Sequence, residues 1–543
     1  MEHEFDGEDP SARTLRDRTW RRLVSGAELM ELRTQLRRAA CYFAHHEALA
    51  HGDRRFSFAE AWSRGTRLAN ALTEAGLQPG DKVATLEKNS IEAADIFLAA
   101  AIGNFVRVPL YARNRRESHA HMMRNTGCRL ALVDEALLPE VVGLDIQLPS
   151  LDRLIVRDAG YEGWLAQASE SDPNPMISPD DICVIRHTGG TSGTPKGVAY
   201  THRTWMTCCA GFQAVGPKPE PGATVLHVAP LSHASGFMFS PYWAIGGRNI
   251  MVEAFDPESF LDMLEREGVG YAFVAPTMLN AIVQHGNPRG HVFSQLKCLL
   301  SASAPVSEAT LRKSREIFGD EILHTAYGQT EILPVTSLGP KEWFGQVEGS
   351  TPLQSVGRAM PFVDLEIRDA DGRVLGPDEP GEIVARFENG QMQGFWNDPE
   401  ETAQRMVDGW VKTGDVGRID ANGFLYLLDR ANDLIVSGGY NIYPAEIENV
   451  IADHPQVIAA AVFGIPHEKW GETPLALVVV APGVELLEQD IVDLVSRRIG
   501  SFKKPSKVVF TTDPLPLSNV GKVLRSKLRE PYWSGHISRI SGA

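Results

Sequence analysis

A chain of 543 residues with 43% hydrophobic composition is long enough to bury about three or four domain-sized cores. Its formal net charge of −16 excludes a general electrostatic attraction to nucleic acid or anionic membrane surfaces, and favours small-molecule chemistry. The six cysteines, at 41, 128, 183, 208, 209 and 298, include no C-x-x-C pair, so neither a disulfide framework nor a zinc site is expected, and a reducing cytoplasm fits.

The opening MEHEFDGEDP is acidic and lacks the apolar centre of a signal peptide, and apolar runs such as IFLAAAIGNFV are too short to span a bilayer. Residues 1–40 are expected to form a poorly defined, mobile acidic extension with no catalytic role. From about residue 47 the pattern becomes regular. EALAHGDRRFSFAEA predicts a hairpin around Gly52-Asp53, and Ser57 with Glu60 forms a capping box for a helix. That helix carries Trp62, Leu68, Ala71 and Leu72 on one face, Gly76 suits its C-terminal cap, and KVATLEKNS follows as a strand. The α/β alternation continues to about residue 400, with RLALVDE and GATVLHVAP as strands and PESFLDMLEREG as a helix. Between about 350 and 428 strands dominate, with turns at Asp371-Gly372 and Asn422-Gly423, which predicts a β-rich subdomain. Beyond Arg430, strand, glycine turn, Pro444-led helix, two strands and a further helix predict a small α+β domain.

Five segments concentrate polar residues around glycine or proline. In RHTGGTSGTPKGVAYTHR, residues 186 to 203, the apolar run Ile182-Cys183-Val184-Ile185 leads into a glycine and hydroxyl loop and then a helical pattern. Backbone N–H groups, hydroxyls and Lys196 suit a phosphate there, although a flexible linker has the same composition. Pro195 before Lys196 and Gly197 after it exclude a Walker loop, and no dinucleotide fingerprint is present. HTAYGQTE sets Tyr327, Thr330 and Glu331 beside Gly328, where the glutamate is a magnesium ligand or a capping acid. WVKTGDVGRID presents Asp415 as a ribose acceptor or a turn aspartate. LLDRANDLIVSGGYNIYPAEIE marks the boundary of the small domain, and DPLPLSNVGKVLRSKL places Lys522 on an exposed loop.

In this order, TGGTSGTPKG, YGQTE, TGD, DRANDLIVSGGYNIYPAEIE and GKVLR resemble the signatures of the adenylate-forming superfamily, which contains acyl-CoA and aryl-CoA synthetases, beetle luciferases and nonribosomal adenylation domains. The resemblance covers about residues 40 to 530. It implies an α/β fold with a large domain over 41–431, a β-rich subdomain over about 350–428, a small mobile α+β domain over 433–543, and a hinge at Asn432, where relatives usually carry Asp or Lys. It also implies that a carboxylate attacks the α-phosphorus of ATP to give an acyl-adenylate and pyrophosphate, after which a thiol displaces AMP.

Carried onto this chain, Thr188, Gly189, Gly190, Thr191, Ser192, Gly193, Thr194 and Lys196 hold the β- and γ-phosphates, and Thr188 and Glu331 place Mg2+. Ser303, Thr325, Ala326, Tyr327 and Thr330 belong to the nucleotide site, Asp415 takes the ribose hydroxyls, and Arg430 supports the ribose and phosphate side. Lys522 bridges carboxylate and α-phosphate, then leaves as Gly438, Gly439 and Tyr440 enter to line the thiol channel. His233, in APLSHASGF, meets the substrate carboxylate or is a satisfied half-buried histidine. Phe237, Ala302, Ser303, Ala326, Gly328 and Ile332 to Pro334 form the pocket wall. No acid is placed to meet an amine, which favours a hydrophobic carboxylic acid, aromatic or aliphatic, over an amino acid. The acceptor implied first is coenzyme A and second a separate carrier protein. An oxygenase of the luciferase type and a degenerate nucleotide-binding protein stand behind both.

Overall fold

The computed structural model describes residues 31–188, 195–304, 306–430, 433, 435–437, 440–467, 469–517 and 523–533, without the side chains of Asp429, Arg430, Val436, Tyr440 and Asn441. The predicted hairpin forms, with Glu47–His51 and Arg54–Ser57 paired antiparallel. Ser57 then caps the helix Phe58–Glu74: its hydroxyl accepts from Glu60 N, and its own N–H donates to the Glu60 carboxylate at 2.8 Å. Trp62, Leu68, Ala71 and Leu72 are all buried, as their shared face requires. The helix ends two residues before Gly76.

Two large sheets organise the α/β body. In the first, Arg153–Arg157, Leu130–Asp134, Lys82–Leu86, Val106–Pro109 and Ile182–Thr188 run parallel, and Lys196–Thr201 and Gly394–Phe395 close one side antiparallel. In the second, Leu323–Gln329, Cys298–Ser301, Tyr271–Val274, Thr224–His227, Arg248–Met251 and Glu47–His51 run parallel, flanked by antiparallel strands at both ends. Strands buried on both faces read as continuous apolar runs, and YAFV and CLLS show that signature. Val83 and Val184 of the first sheet and Val225 and Phe273 of the second share one hydrophobic core with helices between them. Ile91–Gly103 is buried on almost every side, which is why IEAADIFLAAAIG shows no polar face.

A third, antiparallel sheet is built from Asp364–Arg368, Gly381–Arg386, Met406–Val407, Trp410–Ile419 and Leu425–Arg430. This is the β-rich region expected from the turns at Gly372 and Gly423, with one helix, Pro399–Arg405, that the strand pattern did not announce. A fourth sheet lies within the C-terminal segment, and Ile435, Ile447, Val462, Val478 and Ile491 belong to a core drawn from that segment alone.

Two expectations need correction. The glycine loop does not run from a strand into a helix. Val198-Ala199-Tyr200 belongs to the strand Lys196–Thr201, antiparallel to Ile182–Thr188, so the loop closes a β-hairpin and the next helix begins only at His202, capped by Thr201. Pairing on both sides holds Lys196–Thr201 as a strand, and the expected helical pattern follows it. The boundary at residue 41 also cuts through a helix, Leu32–Tyr42. Its Leu32, Leu36, Ala39 and Ala40 are buried in the main core, and Trp243 Nε1 donates to Leu36 O at 2.9 Å. Spacings of three and four put those residues on one face, so the last part of the expected extension is core. All six cysteines are free thiols, and among the described residues no helix is long and apolar enough to cross a membrane.

Candidate active site

Two hairpins meet at the site. In the first, Thr188 pairs with Lys196 across the loop. Lys196 Nζ lies 2.7 Å from Glu401 Oε2, on the helix that follows Gly394–Phe395. Gly189 to Thr194, the loop itself, lie outside the described residues.

The second hairpin pairs Leu323–Gln329 with Ile332–Leu338 and turns at Thr330-Glu331. Gly328 has no room for a side chain: a Cβ there would lie 2.7 Å from Leu333 Cβ and 2.8 Å from Ile332 O. Tyr200, from the first hairpin, donates its hydroxyl to Thr330 O at 2.6 Å and ties the two together. Glu331 is only 7% exposed. Thr325, Ala326 and Tyr327 are buried, and Ala302 and Ser303 follow the neighbouring parallel strand Cys298–Ser301, with Ser303 at φ +82°. The expected adenine-flanking residues thus come from adjacent strand ends of one sheet, where open α/β sheets bind ligands.

Asp415 is brought to this edge from the third sheet. Tyr327 donates its hydroxyl to Asp415 Oδ2 at 2.8 Å, and Gln329 Nε2 donates to the same oxygen at 2.6 Å and to Thr413 O at 2.9 Å. Gly414, at φ +69°, lets the strand turn its carboxylate there. Asp415 is also the cross-strand partner of Arg430. The Arg430 side chain, Asn432, Gly438, Gly439, the Tyr440 side chain and Lys522 lie outside the described residues.

His233 stands deeper. Its ring centroid is 4.0 Å from that of Tyr111, and its Nδ1 lies 3.0 Å from Ser232 Oγ. Tyr111 in turn donates its hydroxyl to the carbonyl of His187, the residue before Thr188. Burial, reinforced by the Arg186 and Arg113 charges, pushes His233 down to about 3, so the imidazole is neutral near pH 7. The tautomer in which the Ser232 hydroxyl donates to Nδ1 carries its ring proton on Nε2, which has no hydrogen-bond partner among the described residues. Phe237 stacks on Trp205 at 4.6 Å and on Phe212 at 5.3 Å, and Ile332 is fully buried.

Three residues of this region were not singled out from the sequence: Tyr111, Arg186 and Gln329. Arg186 carries a readable signal, a charge inside the apolar strand ICVIRHT. Gln329 lies within YGQTE but has no chemistry that stands out alone. Tyr111 becomes visible only when the fold packs it against His233.

The mixed α/β fold, with its large N-terminal and small C-terminal parts, matches that of adenylate-forming enzymes. The chain belongs to the AMP-binding enzyme family, whose profile matches residues 36–396, and the AMP-binding enzyme C-terminal domain matches residues 446–522. It is 34% identical to a feruloyl-CoA synthase of Amycolatopsis sp over 490 residues, covering 90% of this chain and 96% of that one. It is 30% identical to the fatty acid–[acyl-carrier-protein] ligase ScoC of Streptomyces coeruleorubidus over 513 residues, covering 92% and 97%. Among solved structures, ATP-bound MatB from Rhodopseudomonas palustris superposes with a TM-score of 0.83 at 27% identity, covering 92% of this chain and 99% of that one.

Proposed function

We propose that this enzyme activates a hydrophobic carboxylic acid with ATP as an acyl-adenylate and transfers the acyl group to coenzyme A, releasing pyrophosphate and then AMP. The observation that carries the reading is Tyr111, whose ring packs at a tilt against neutral His233 and whose hydroxyl hydrogen-bonds the backbone beside Thr188. It couples an apolar, aromatic-lined acid site to the phosphate loop. His233 Nε2 donates to the substrate carboxylate without adding charge, and Phe237, Ala302, Ala326, Gly328 and Ile332 wall the chamber. Thr188 through Thr194 and Lys196 hold the β- and γ-phosphates as the leaving group, and Asp415, gripped by Tyr327 and Gln329, takes the ribose.

Thr188 and buried Glu331 suit Mg2+ held largely by the nucleotide's phosphates, since a magnesium site of this kind needs few protein carboxylates. The ion neutralises phosphate charge. Lys522 meets the reacting carboxylate and α-phosphate in the first half-reaction, and Gly438, Gly439 and Tyr440 line the thiol path in the second, with Asn432 as the pivot between them. Attack of an anion on a polyanion is governed by positioning and charge neutralisation, which is what these groups supply.

The 34% identity to a feruloyl-CoA synthase supports coenzyme A as acceptor. Loading of a separate carrier protein is the second reading, favoured by the 30% identity to ScoC. Acid-dependent pyrophosphate release, measured with and without coenzyme A and followed by product detection, separates them. A CoA thioester is the expected product. Adenylate that accumulates and moves only to a phosphopantetheinyl protein would establish the second reading. No acid-dependent turnover across an aromatic and aliphatic panel would sink both.

A further inference from the structure

Among the described residues, two of the four buried arginines are matched by carboxylates: Arg157 by Glu87 and Arg33 by Asp172. Two are not. Arg107 and Arg186 are each 5% exposed, and neither forms an ion pair among the described residues. Arg107 lies 3.7 Å from the centroid of the Phe97 ring, and Arg186 lies 4.2 Å from that of Phe237. Arg186 Nη2 donates to Ser232 O at 3.0 Å, but its Nη1 is buried with no hydrogen-bond partner among the described residues. Burial and the neighbouring Arg186 charge hold Arg107 down at about 10, so it is still charged at neutral pH, and burial lowers Arg186 as well. A buried cation without an anion is costly, and such a charge in an apolar layer calls for a partner that arrives from outside.

The position of Arg186 indicates what that partner is. It lies two residues before Thr188 on the strand Ile182–Thr188, so both side chains leave the same face of the sheet, with Arg186 about 7 Å further in. The Ser232 carbonyl that it touches belongs to the residue before His233, and Phe237 follows on the helix beyond. An acid with its carboxylate at His233 and its body against Phe237 would pass the Arg186 guanidinium, which contacts both the Ser232 carbonyl and the Phe237 ring.

We infer that Arg186 is a specificity-determining residue, whose Nη1 donates to an oxygen acceptor on the body of the acid. The substrate is then a carboxylic acid bearing a second oxygen function, a phenolic or carboxylate oxygen, rather than a plain hydrocarbon acid. The inference rests on the acid-activating reading above and names the substrate class of that site.

The test compares acids in matched pairs by acid-dependent pyrophosphate exchange: benzoate with 4-hydroxybenzoate and terephthalate, cinnamate with 4-hydroxycinnamate, hexanoate with adipate. The wild-type enzyme is expected to favour one class of oxygen-bearing member over its plain counterpart by at least about tenfold in kcat/KM, and the favoured pairs tell phenol from carboxylate. Arg186→Met is expected to bring that ratio to about one, and Arg186→Lys to restore part of it. A ratio that Arg186→Met leaves unchanged, with both members slowed alike, would overturn the inference and place Arg186 at the common carboxylate or in the scaffold. So would a wild-type preference for the plain acids. The wild-type ratios, together with thermal shifts of wild-type protein by each pair, decide the matter even where the variant does not fold. No exchange with any acid would remove the acid-activating reading, and the inference would fall with it.

Discussion

The grip on Asp415 makes a quantitative demand. Tyr327 and Gln329 donate to one and the same carboxylate oxygen, at 2.8 and 2.6 Å, in partly buried surroundings. A hydrogen bond to a charged group contributes about 1.5–3 kcal/mol, and partial exposure puts these two near the lower figure. Tyr327→Phe removes one donor and keeps the ring, so the expected loss is about 1.5 kcal/mol, or roughly tenfold. Since Asp415 is assigned to the ribose, the loss should appear as a higher KM for ATP in acid-dependent pyrophosphate exchange, with the KM for the acid unmoved. Gln329→Leu should do the same and add the loss of its bond to Thr413 O. The two substitutions share an acceptor, so their combined effect should depart from additivity. A tenfold rise in the KM for the acid, with ATP dependence unchanged, would refute the reasoning and move Asp415 to the acid side.

Other expectations are simpler to check. Lys522→Ala should slow adenylation by more than about a hundredfold, the scale of losing one preorganised donor, and a burst of pyrophosphate at the wild-type rate would remove Lys522 from that role. Gly328→Ala forces a Cβ to within 2.7 Å of Leu333 Cβ. It should cost about 1–3 kcal/mol of stability, seen as a lower Tm. Burial holds His187 and His233 at about 3 and His202 and His227 at about 4, below the ordinary 6.5. At these four rings the unfolded chain therefore binds more protons than the folded one between about pH 6.5 and 3, and the stability they contribute is lost as the pH falls through that window. Thermal melts should show a lower Tm at pH 5 than at pH 7.5, and His187→Leu should lessen the difference. An unchanged Tm would show that these rings are not buried neutral.

Much of this architecture can be read from local pattern. Ser57 with Glu60 announces a helix start because both halves of the reciprocal cap lie three residues apart, and Asn422-Gly423 announces a turn because the glycine takes the left-handed backbone. The individual site residues sit in glycine-rich segments that stand out for the same local reasons. What the sequence does not carry is their meeting. Lys196–Thr201 reads only as the lead into the helical pattern that follows it, and pairing with Ile182–Thr188 and Gly394–Phe395 makes it a strand. The Tyr327–Asp415 and Tyr111–His233 contacts join residues 88 and 122 positions apart, so no window of sequence contains them. The helix Leu32–Tyr42 was hidden differently, because arginines interrupt its apolar face and one of them, Arg33, is itself buried against Asp172.

The Lys196–Glu401 contact gives the phosphate loop an unusual starting condition. Before any nucleotide arrives, the one lysine of the loop already has a counterion, 2.7 Å away on a helix of another segment. A triphosphate reaching Lys196 thus enters by exchange rather than by filling an empty cationic hole, and it gains only the difference between a phosphate and a carboxylate partner. A small anion such as free phosphate or sulfate has little to offer in that exchange, whereas a nucleotide adds the ribose contact at Asp415. If Lys196 holds phosphate as proposed, the ion pair would act as a threshold against abundant inorganic anions and leave discrimination to a ligand that also reaches Asp415.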